Sequence, residues 1–413
     1  MLIEFTVSNF RSFREPQTFS MAAAPRLRQK EYTLEPNVVG EKLPNLHKVA
    51  AIYGPNASGK SALLRAMKTI PALVERAPEA VSRPLSVWPF RYDSALLSKP
   101  SEFEYHFIAD GLRYQLTVAM TADRITYERL ACFPKGKEEM LYARSYMGSS
   151  YAYKFGRTLE GSPDLHEAWK HLTGPRTMFL AQAVANSSEE LTQLRSPYKW
   201  IASLRSMDSS LSTEWAQSTQ KLAKDHPRFA KEIAEFLSNY DIPIVGMRFE
   251  QEESVSESHD VESSVKRENI RTFFTHRSAL GPAEFAFGEE SEGTQALIGF
   301  WLPWSAIGEG DGGQFCNVLL VDEIDSSLHP KIVENLIRSH LKLQTQVQVI
   351  FTTHDTHLMN TKLLRRDQIW LTERDKNAAT QLRSIHEYTG REGEDVEKRY
   401  FEGRYRGLPI LSE

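Results

Sequence analysis

The apolar and polar positions in the first part of the chain predict a strand, a loop and a helix. Residues 2–7 alternate apolar and polar side chains, which is the period of a half-buried strand. Residues 49–53 form a short apolar run that Gly54 and Pro55 interrupt, so we expect a strand followed by a loop. The helical pattern that follows keeps its apolar residues on one face: Leu63, Leu64, Met67 and Ile70.

The middle of the chain changes from strand-like to helical periodicity. Residues 103–108, 114–120 and 125–133 are predicted strands, and the Asp-Gly pair at 110–111 indicates a tight hairpin between the first two. A helical tract is then expected over residues 163–240. One of its amphipathic faces consists of Phe229, Ile233, Phe236 and Leu237. Because the tract lacks a sustained heptad pattern, we interpret it as a compact insertion rather than a coiled-coil arm.

The last part of the chain alternates strands and helices. Strand patterns at residues 318–321 and 347–351 flank a helical pattern that begins at Pro330. This order implies a mostly parallel sheet covered by helices. A further strand is expected at 242–249, and the acidic, serine-rich stretch 251–268 is interpreted as a mobile loop or an exposed hairpin tip. The predicted fold class is therefore α/β, with an antiparallel β part and a helical insertion.

Residues 54–61 carry the strongest chemical signal. They read Gly-Pro-Asn-Ala-Ser-Gly-Lys-Ser and match the phosphate-loop pattern G-x-x-x-x-G-K-[ST] in full, between a predicted strand and a predicted helix. We assign phosphate contacts to Asn56, Ala57, Ser58, Gly59, Lys60 and Ser61. Lys60 is expected to reach the β- and γ-phosphates, and the Ser61 hydroxyl to ligate Mg²⁺. The alternative is a glycine-containing strand-to-helix turn that matches by chance.

Two carboxylates follow the apolar run at residues 318–321. Asp322 and Glu323 are expected at the carboxyl end of a parallel strand, where open α/β sheets bind their ligands. We expect Asp322 to hold the Mg²⁺ shell and Glu323 to polarise the attacking water. Many strands end in solvated acidic residues. The pair therefore indicates a catalytic site only because the chain also has the phosphate loop.

The order of these motifs resembles that of the ABC-type ATPase heads of the SMC, Rad-fifty, RecF and OLD group. Residues 291–295, Ser-Glu-Gly-Thr-Gln, resemble the signature motif of that class. In the family, the serine and glycine that correspond to Ser291 and Gly293 donate to the γ-phosphate held by the opposite subunit. The resemblance therefore implies a protein that binds and hydrolyses ATP, with sites that form when two copies associate. By itself, such a string more commonly marks a helix N-cap.

Two further segments resemble motifs of the same group. Residues 324–330 follow the acidic pair and are similar to the D-loop that contacts the other subunit, which includes Asp325. A turn that caps the following helix is compatible with the same residues. Residues 349–354 resemble the switch strand, which implies that His354 lies near the γ-phosphate. A lone histidine after a strand is otherwise usually incidental.

The N-terminal turn at residues 9–13, Asn-Phe-Arg-Ser-Phe, looks like the opening turn of this group, whose arginine often helps to bind nucleotide. Arg11 is therefore a candidate nucleotide-binding residue, and an exposed loop arginine is the competing interpretation. The sequence departs from the family where a Q-loop glutamine is expected. Residues 89–91 are expected to occupy that place, without an assignable Mg²⁺-sensing residue.

The resemblance divides the chain into three expected segments. Residues 1–160 are the N-terminal ATPase lobe with the phosphate loop and a β-subdomain, and residues 161–245 are the helical insertion. Residues 246–413 are the C-terminal ATPase lobe with the signature motif, acidic pair, D-loop and switch histidine.

Several short segments resemble segments of bacterial abortive-infection ATPases of the AbiL or RloA kind. They lie at residues 328–330, 353–355, 366–370 and 403–409. Such ATPases commonly act in phage defence beside a separately encoded effector, often a TOPRIM-type nuclease. The resemblance implies a regulatory ATPase that forms a homodimer or higher oligomer, with DNA or a phage-derived molecule as trigger. The alternatives are a DNA-repair or chromosome-maintenance ATPase that clamps DNA and, fitting least, a transporter motor.

The composition bears on the compartment and the partners that we expect for this protein. With 50 basic and 54 acidic residues, the net charge of −4 does not indicate a global polyanion binder. Cys132 and Cys316 are far apart and lack metal-binding spacing, which favours a reducing cytosol. There is no signal pattern and no apolar run of about 18 residues, so we expect a soluble cytoplasmic protein without a membrane partner. Glu373 and Asp375 lie in a charged turn with no later Asp-x-Asp pair, so a nuclease site is not expected in this chain.

Overall fold

A computed structural model describes residues 1–27, 29–76, 83–208, 212–252, 269–308, 316–390 and 393–408. The strands are β1 (Leu2–Ser8), β2 (Gln17–Ser20), β3 (Thr33–Leu34), β4 (Leu46–His47), β5 (Val49–Tyr53), β6 (Ser101–Ala109), β7 (Leu112–Met120), β8 (Ile125–Cys132), β9 (Glu139–Tyr146), β10 (Tyr151–Phe155), β11 (Leu204–Met207), β12 (Ile244–Glu252), β13 (Asn269–Ser278), β14 (Gly281–Ala286), β15 (Val318–Val321), β16 (Gln348–Thr352), β17 (Ile369–Arg374) and β18 (Thr380–Ser384). The helices are α1 (Lys60–Val74), α2 (Pro163–Leu172), α3 (Phe179–Ala185), α4 (Arg195–Ala202), α5 (Ser212–Asp225), α6 (Pro227–Ser238), α7 (Glu292–Gly308), α8 (Pro330–Lys342) and α9 (Val396–Phe401). Within these ranges, no helix is both long and apolar enough to cross a membrane. The predicted α/β class is confirmed.

The central sheet has six strands in the order β11-β15-β16-β5-β17-β18. Its strands β15, β16, β5 and β17 run parallel, and β18 is antiparallel to β17. β15, β16 and β5 are buried along their whole length, which is why each reads as a continuous apolar run rather than as an alternating pattern. The parallel arrangement predicted for the last part of the chain is therefore confirmed.

One strand of the central sheet lies inside the tract predicted to be helical. β11 pairs at the edge of the sheet beside β15, whereas α2 to α6 account for most of residues 163–240. With only four residues, β11 is too short to show a strand period in the sequence. The N–H of Asn317 donates to the carbonyl oxygen of Ser203 at 3.4 Å, next to this strand. Pairing with a distant part of the chain, rather than local propensity, therefore decides this element.

A second sheet of seven strands is antiparallel throughout, in the order β10-β9-β8-β7-β6-β1-β2. The predicted tight hairpin joins β6 to β7, where Ala109 pairs with Leu112. The two loop residues, Asp110 and Gly111, have φ angles of 47° and 73°. Positive φ at both positions is what a type I′ turn requires, so the Asp-Gly prediction is confirmed.

A buried glutamine joins the seven-stranded sheet to the central sheet. The side-chain carbonyl of Gln348 accepts from the N–H of Leu2 at 2.5 Å. Its amide donates to the carbonyl oxygens of Leu2 and His47 at 3.1 Å each. The apolar core between the sheets includes the predicted face of α1: Leu63, Leu64, Met67 and Ile70. Both sheets therefore help to fix the helix that follows the phosphate loop.

The chain forms two compact units. The first comprises Met1–Ser206, Gly312–Ile324 and Leu336–Glu413, and the second comprises Met207–Asp311 and Asp325–Asn335. The expected segments 1–160, 161–245 and 246–413 stay predictions. Trp169 of α2, Phe179 of α3 and Trp200 of α4 belong to the same apolar core as the seven-stranded sheet. The first half of the helical tract therefore completes the first unit, and only α5 and α6 belong to the second.

The second unit combines α5, α6 and α7 with the three-stranded antiparallel sheet β12-β13-β14. Trp301 and Trp304 of α7 are 3% and 8% exposed, so both rings lie in the core of this unit. The ring of Phe229 contacts that of Trp301 edge-on, with centroids 5.7 Å apart. In the acidic stretch predicted to be a loop, residues 253–268 lie outside the described residues.

Candidate functional site

The carboxyl ends of three neighbouring parallel strands meet at one edge of the central sheet. β5 ends at Tyr53 and leads into the phosphate loop, and β15 ends just before Asp322. β16, which lies between them, ends at Thr352, two residues before His354. The topology therefore brings the predicted phosphate, acidic and switch residues to one crevice, which is where open parallel sheets bind ligands.

Two glycines of the phosphate loop are required by the strands that pack against it. Gly54 has a φ angle of 148°, and a Cβ there would lie 2.4 Å from both the carbonyl and the hydroxyl oxygen of Thr372. Gly59 has a φ angle of 113°, and a Cβ there would lie 2.2 Å from the hydroxyl of Thr380. The loop residue Ala57 is also left-handed, with a φ angle of 60°. β17 and β18 therefore determine the shape of the loop.

Hydroxyl groups tie the phosphate loop to both ends of the chain. The Ser58 and Thr372 hydroxyls lie 2.5 Å apart, and the Thr372 hydroxyl contacts the carbonyl oxygen of Tyr53 at 3.1 Å. The Thr380 hydroxyl contacts the carbonyl oxygen of Ser58 at 2.8 Å and the Ser12 hydroxyl at 2.7 Å. The N–H of Thr380 also donates to the carbonyl oxygen of Ser12 at 2.7 Å. The N-terminal turn, the phosphate loop and the β17–β18 hairpin thus form one connected structure.

The Lys60 side chain lies within the phosphate loop. Its ammonium group donates to the carbonyl oxygens of Gly54 at 2.9 Å and Pro55 at 3.3 Å, and the residue is 6% exposed. Lys60 is also the first residue of α1, whose N-terminus adds partial positive charge. Asn56 and Ala57 are exposed at the tip of the loop. A held ammonium group beside a helix N-terminus is an environment suited to an anion.

The Ser61 hydroxyl and the Asp322 carboxylate meet in the crevice. Ser61 Oγ donates to Asp322 Oδ1 at 3.1 Å. Mg²⁺ takes oxygen ligands at about 2.1 Å in octahedral geometry, which separates neighbouring ligand oxygens by about 3.0 Å. The two oxygens have this spacing, and a hydroxyl and a carboxylate are ligands that Mg²⁺ accepts. The two residues therefore fit the ion that the sequence predicts.

Glu323 adopts a backbone conformation that non-glycine residues rarely adopt. Its φ angle is 53°, and its N–H donates to the Thr352 hydroxyl at 2.7 Å. The Glu323 side chain is exposed, as is that of His354 beyond the end of β16. Left-handed non-glycine residues cost of order 1 kcal/mol or more and concentrate at functional sites. The conformation is thus consistent with a carboxylate aimed out of the strand for chemistry.

Arg11 lies in a tight turn next to Trp88. Its φ angle is 51°, its N–H donates to the carbonyl oxygen of Trp88 at 2.7 Å, and its guanidinium lies 4.5 Å from the centre of the Trp88 ring. Burial and the positive charges of Arg65 and Arg91 lower the pKa of Arg11 below its ordinary value. The side-chain carbonyl of Asn9, in the same turn, accepts from the N–H of Phe90 at 3.0 Å. The segment 89–91, expected in the Q-loop place, therefore lies against the N-terminal turn.

A positively charged groove extends from Arg11 along α1. We call it the basic groove; it has a volume of about 460 Å³, and none of the described residues that line it is acidic. Trp88, which is 40% exposed, lines one side of it. Its cationic side chains are Arg11, Arg65, Lys68, Arg76 and Arg83. A concentration of cations of this kind favours a phosphate-bearing ligand.

The predicted signature residues lie at the start of α7 in the second unit. The Ser291 hydroxyl accepts from the N–H of Thr294 at 3.2 Å, so Ser291 is an N-cap, as its competing interpretation requires. A Cβ on Gly293 would lie 2.8 Å from the carbonyl oxygen of Ser327. Ser327 belongs to the predicted D-loop, where the N–H of Leu328 donates to the carbonyl oxygen of Asp325 at 3.3 Å. Within this unit, the signature glycine and the D-loop are therefore in close contact.

Sequence reasoning missed four hydroxyl residues that organise the site. They are Ser12, Thr352, Thr372 and Thr380. Three of them are threonines in strands, where threonine is an ordinary residue, so composition and spacing gave no signal. A signal was available for Thr352, because it lies within residues 349–354, which resemble the switch strand.

Comparison with known proteins supports the recognition of an ATPase. A family model described as "AAA domain, putative AbiEii toxin, Type IV TA system" matches residues 49–360. No curated protein matches the chain. Among solved structures, the chain is similar to an SMC head domain from Thermotoga maritima, with 13% identity, a TM-score of 0.40 and coverage of 93% of this chain and 98% of the other. It is also similar to an SMC head bound to the C-terminal winged-helix domain of ScpA, with 13% identity, a TM-score of 0.45 and coverage of 93% and 97%.

The family match covers the parts of the chain that form the crevice. It includes the phosphate loop, the acidic pair and the switch strand, and it spans more than half of the 413 residues. The family match therefore confirms the recognition of an ATPase domain. The protein therefore belongs to the family of ATPase domains described as AbiEii-like.

Proposed function

We propose that this protein is a Mg²⁺-dependent ATPase that acts as a nucleotide-gated dimeric switch. The observation that carries the proposal is the meeting of Ser61 and Asp322 at the mouth of a complete phosphate loop. A loop that matched the pattern by chance would not bring a magnesium-competent hydroxyl and carboxylate together across 261 residues of sequence. The geometry therefore favours nucleotide chemistry over a simple strand-to-helix turn.

Each residue of the crevice has a distinct task in this proposal. The Lys60 ammonium leaves the carbonyl oxygens of its own loop and contacts the β- and γ-phosphates, while Asn56 to Ser61 supply backbone N–H groups. Ser61 and Asp322 would hold Mg²⁺, which would supply neutralisation of phosphate charge and polarisation of the γ-phosphoryl group. Glu323 accepts a hydrogen bond from the attacking water, and His354 contacts the γ-phosphate.

Two copies of the chain are needed to complete a site in this proposal. Ser291 and Gly293 resemble residues that act on nucleotide bound to the opposite subunit, and Asp325 belongs to the segment that contacts that subunit. The close packing of Gly293 against the Ser327 carbonyl supports this, because it joins the signature and D-loop segments into one surface. Arg11 is proposed to contact nucleotide on its own subunit, next to the loop that Ser12 and Thr380 support. ATP would then hold the dimer together, and hydrolysis would release it.

The proposed biological role is control of a separate effector in an abortive-infection system of a bacterial cytoplasm. The family description, which names a putative AbiEii toxin, supports this setting. The chain carries no Asp-x-Asp pair after Glu373, so a nuclease of the TOPRIM kind would be a partner. DNA or a phage-derived molecule would be the trigger.

A pull-down tests the defence role. The Glu323→Gln variant would be expressed with its native neighbouring genes, purified with ATP and Mg²⁺, and its companions identified by mass spectrometry. Recovery of one stoichiometric nuclease or toxin that is lost from the matched Lys60→Ala sample supports an effector switch. If both samples recover the same proteins, or none, nucleotide does not control an effector and the defence role fails.

The basic groove favours a second candidate function, the clamping of DNA. Its five cations suit a phosphate backbone, and none of the described residues that line it is acidic. The test is the affinity for a labelled 20-base-pair duplex at one fixed salt concentration. The double variant Lys68→Glu, Arg83→Glu should bind at least tenfold more weakly, while the control Lys154→Glu, Arg157→Glu, on an exposed surface elsewhere, should change less than twofold. Equal affinities of the two double variants would remove this candidate.

A further inference from the structure

Thr352 makes three hydrogen bonds, two with the acidic pair and one with the residue that follows it. Its hydroxyl donates to Asp322 Oδ1 at 2.6 Å and accepts from the N–H of Glu323 at 2.7 Å. Its carbonyl oxygen accepts from the N–H of Ile324 at 3.1 Å. One residue thus contacts three consecutive residues at the end of β15. We propose that Thr352 is a positioning residue that fixes the positions of two carboxylates, the Mg²⁺-holding one of Asp322 and the water-polarising one of Glu323. This inference rests on the proposed function.

The donor and the acceptor of each of these hydrogen bonds are fixed by the chemistry of the groups. An ionised carboxylate only accepts, so the single proton of the Thr352 hydroxyl is committed to Asp322. The N–H of Glu323 only donates, so it uses a lone pair of the same oxygen. Thr352 is fully buried, and water does not compete for either bond. Hydrogen bonds to a charged acceptor are about twice as strong as neutral ones, so this contact restrains Asp322 firmly.

The bond to Glu323 also stabilises an unfavourable backbone conformation. At a φ angle of 53°, Glu323 requires compensation from its surroundings. The N–H groups of Glu323 and Ile324, which lie on either side of the Glu323 Cα, donate to the hydroxyl and the carbonyl oxygen of Thr352. Loss of the hydroxyl would leave the Glu323 N–H without its partner and allow the residue to relax toward ordinary φ values. The direction of the Glu323 side chain would then change, together with the water that it orients.

Thr352 is distinct from the residues that contact the ligands in the proposed function. Ser61 also donates to Asp322 Oδ1, but at a longer distance of 3.1 Å, and the proposed role of Ser61 is to hold the ion. Thr352 instead lies in β16, where it pairs with Ile52 of the strand that leads into the phosphate loop. It therefore connects the acidic pair to both the switch strand and the phosphate-loop strand. Its hydroxyl is the contact that can persist when ion and nucleotide bind.

The test compares Thr352→Val with Thr352→Ser in the full chain. Valine keeps the shape and removes the hydroxyl, whereas serine restores it. The matched control is Thr219→Val, because Thr219 is fully buried and its hydroxyl has no hydrogen-bond partner among the described residues. The measurements are the steady-state ATPase rate as Mg²⁺ is varied, and the binding of a fluorescent ATP analogue with EDTA and with Mg²⁺.

Thr352→Val should lower kcat at least tenfold and raise the Mg²⁺ concentration for half-maximal rate at least fivefold. Binding of the analogue in EDTA should stay within twofold of the parent protein, and its enhancement by Mg²⁺ should be largely lost. Thr352→Ser and Thr219→Val should stay within threefold of the parent in every measurement. These changes are not expected from general destabilisation, which would alter binding in EDTA as well.

Two results would overturn the inference. One is a Thr352→Val protein with the parent rate and Mg²⁺ dependence, and the other is a Thr352→Ser protein as impaired as Thr352→Val. Failure of the proposed function can be distinguished from failure of this inference, because the parent protein itself would then not hydrolyse ATP. In that case, the Mg²⁺ enhancement of analogue binding still tests whether Thr352 positions Asp322.

Discussion

The hydroxyl of Thr380 lies 2.8 Å from the carbonyl oxygen of Ser58 and joins the last strand of the central sheet to the phosphate loop. The same hydroxyl occupies the space that a Cβ on Gly59 would need. The phosphate loop is therefore fixed from outside by a hairpin more than 300 residues later in the chain. This relationship makes the loop sensitive to changes that do not touch phosphate.

Replacement of Gly59 by alanine should disable the phosphate loop. The new Cβ would lie 2.2 Å from the Thr380 hydroxyl, at a φ angle of 113° that disfavours alanine, so the loop must shift. We expect at least a 50-fold loss of ATP affinity by calorimetry and a lower melting temperature. Gly288→Ala is the control, because a Cβ there contacts nothing within 4 Å. Parent-like affinity in Gly59→Ala would show that the hairpin does not constrain the loop.

Replacement of Lys60 by alanine should abolish tight ATP binding while the protein stays folded. The buried ammonium is the main cationic contact proposed for the phosphates, and charge-assisted bonds to phosphate are among the strongest that side chains form. Calorimetry should show at least a 100-fold weaker Kd than in the parent protein. Lys154→Ala, an exposed lysine on β10, controls for the loss of one positive charge. Near-normal affinity in Lys60→Ala would refute the assignment of this lysine.

His340 should make the protein less stable as the pH falls from about 6.5 to 4. Burial in the first unit and the nearby charge of Lys48 lower its pKa from 6.5 to about 4. Between these values the unfolded chain binds a proton that the folded chain does not, so stability is complete above pH 6.5 and is lost on acidification. The effect amounts to about 3 kcal/mol at most, since one pKa unit is worth about 1.4 kcal/mol.

Melting temperatures at pH 5 and pH 7 measure this effect. The difference between them should be smaller in His340→Leu than in the parent protein, because leucine binds no proton in either state. Identical pH dependence in the two proteins would show that His340 does not contribute to acid sensitivity.

The sequence predicts the elements of the crevice better than the contacts that hold them. The phosphate loop, the Asp-Gly hairpin at Asp110 and the buried run before Asp322 follow from local patterns, because each depends on neighbouring residues. β11 and the role of Thr380 depend on partners far away in the chain, and a single sequence does not show which residues meet. The packing of Trp169 and its neighbours against a sheet formed earlier in the chain is not visible in the sequence for the same reason.

The positions of the two acidic residues illustrate the same limit. A strand that ends in Asp322 and Glu323 predicts carboxylates at the sheet edge, and the structure has them there. The left-handed conformation of Glu323 and its support by Thr352 have no counterpart in the residue pattern. The chemical groups at the end of this strand can therefore be predicted from the sequence, whereas the orientation of each group depends on tertiary contacts.

The most direct test of the nucleotide-gated dimer uses the Glu323→Gln variant. Glutamine keeps the shape of the side chain but is a poor acceptor for the proton of the attacking water, so binding should persist while hydrolysis slows at least 20-fold. Light scattering after size-exclusion chromatography with ATP and Mg²⁺ should then show twice the mass found without nucleotide. Lys60→Ala, treated identically, should show the same mass with and without ATP. A Glu323→Gln protein that hydrolyses ATP at the parent rate, or whose mass does not respond to ATP, would contradict the account.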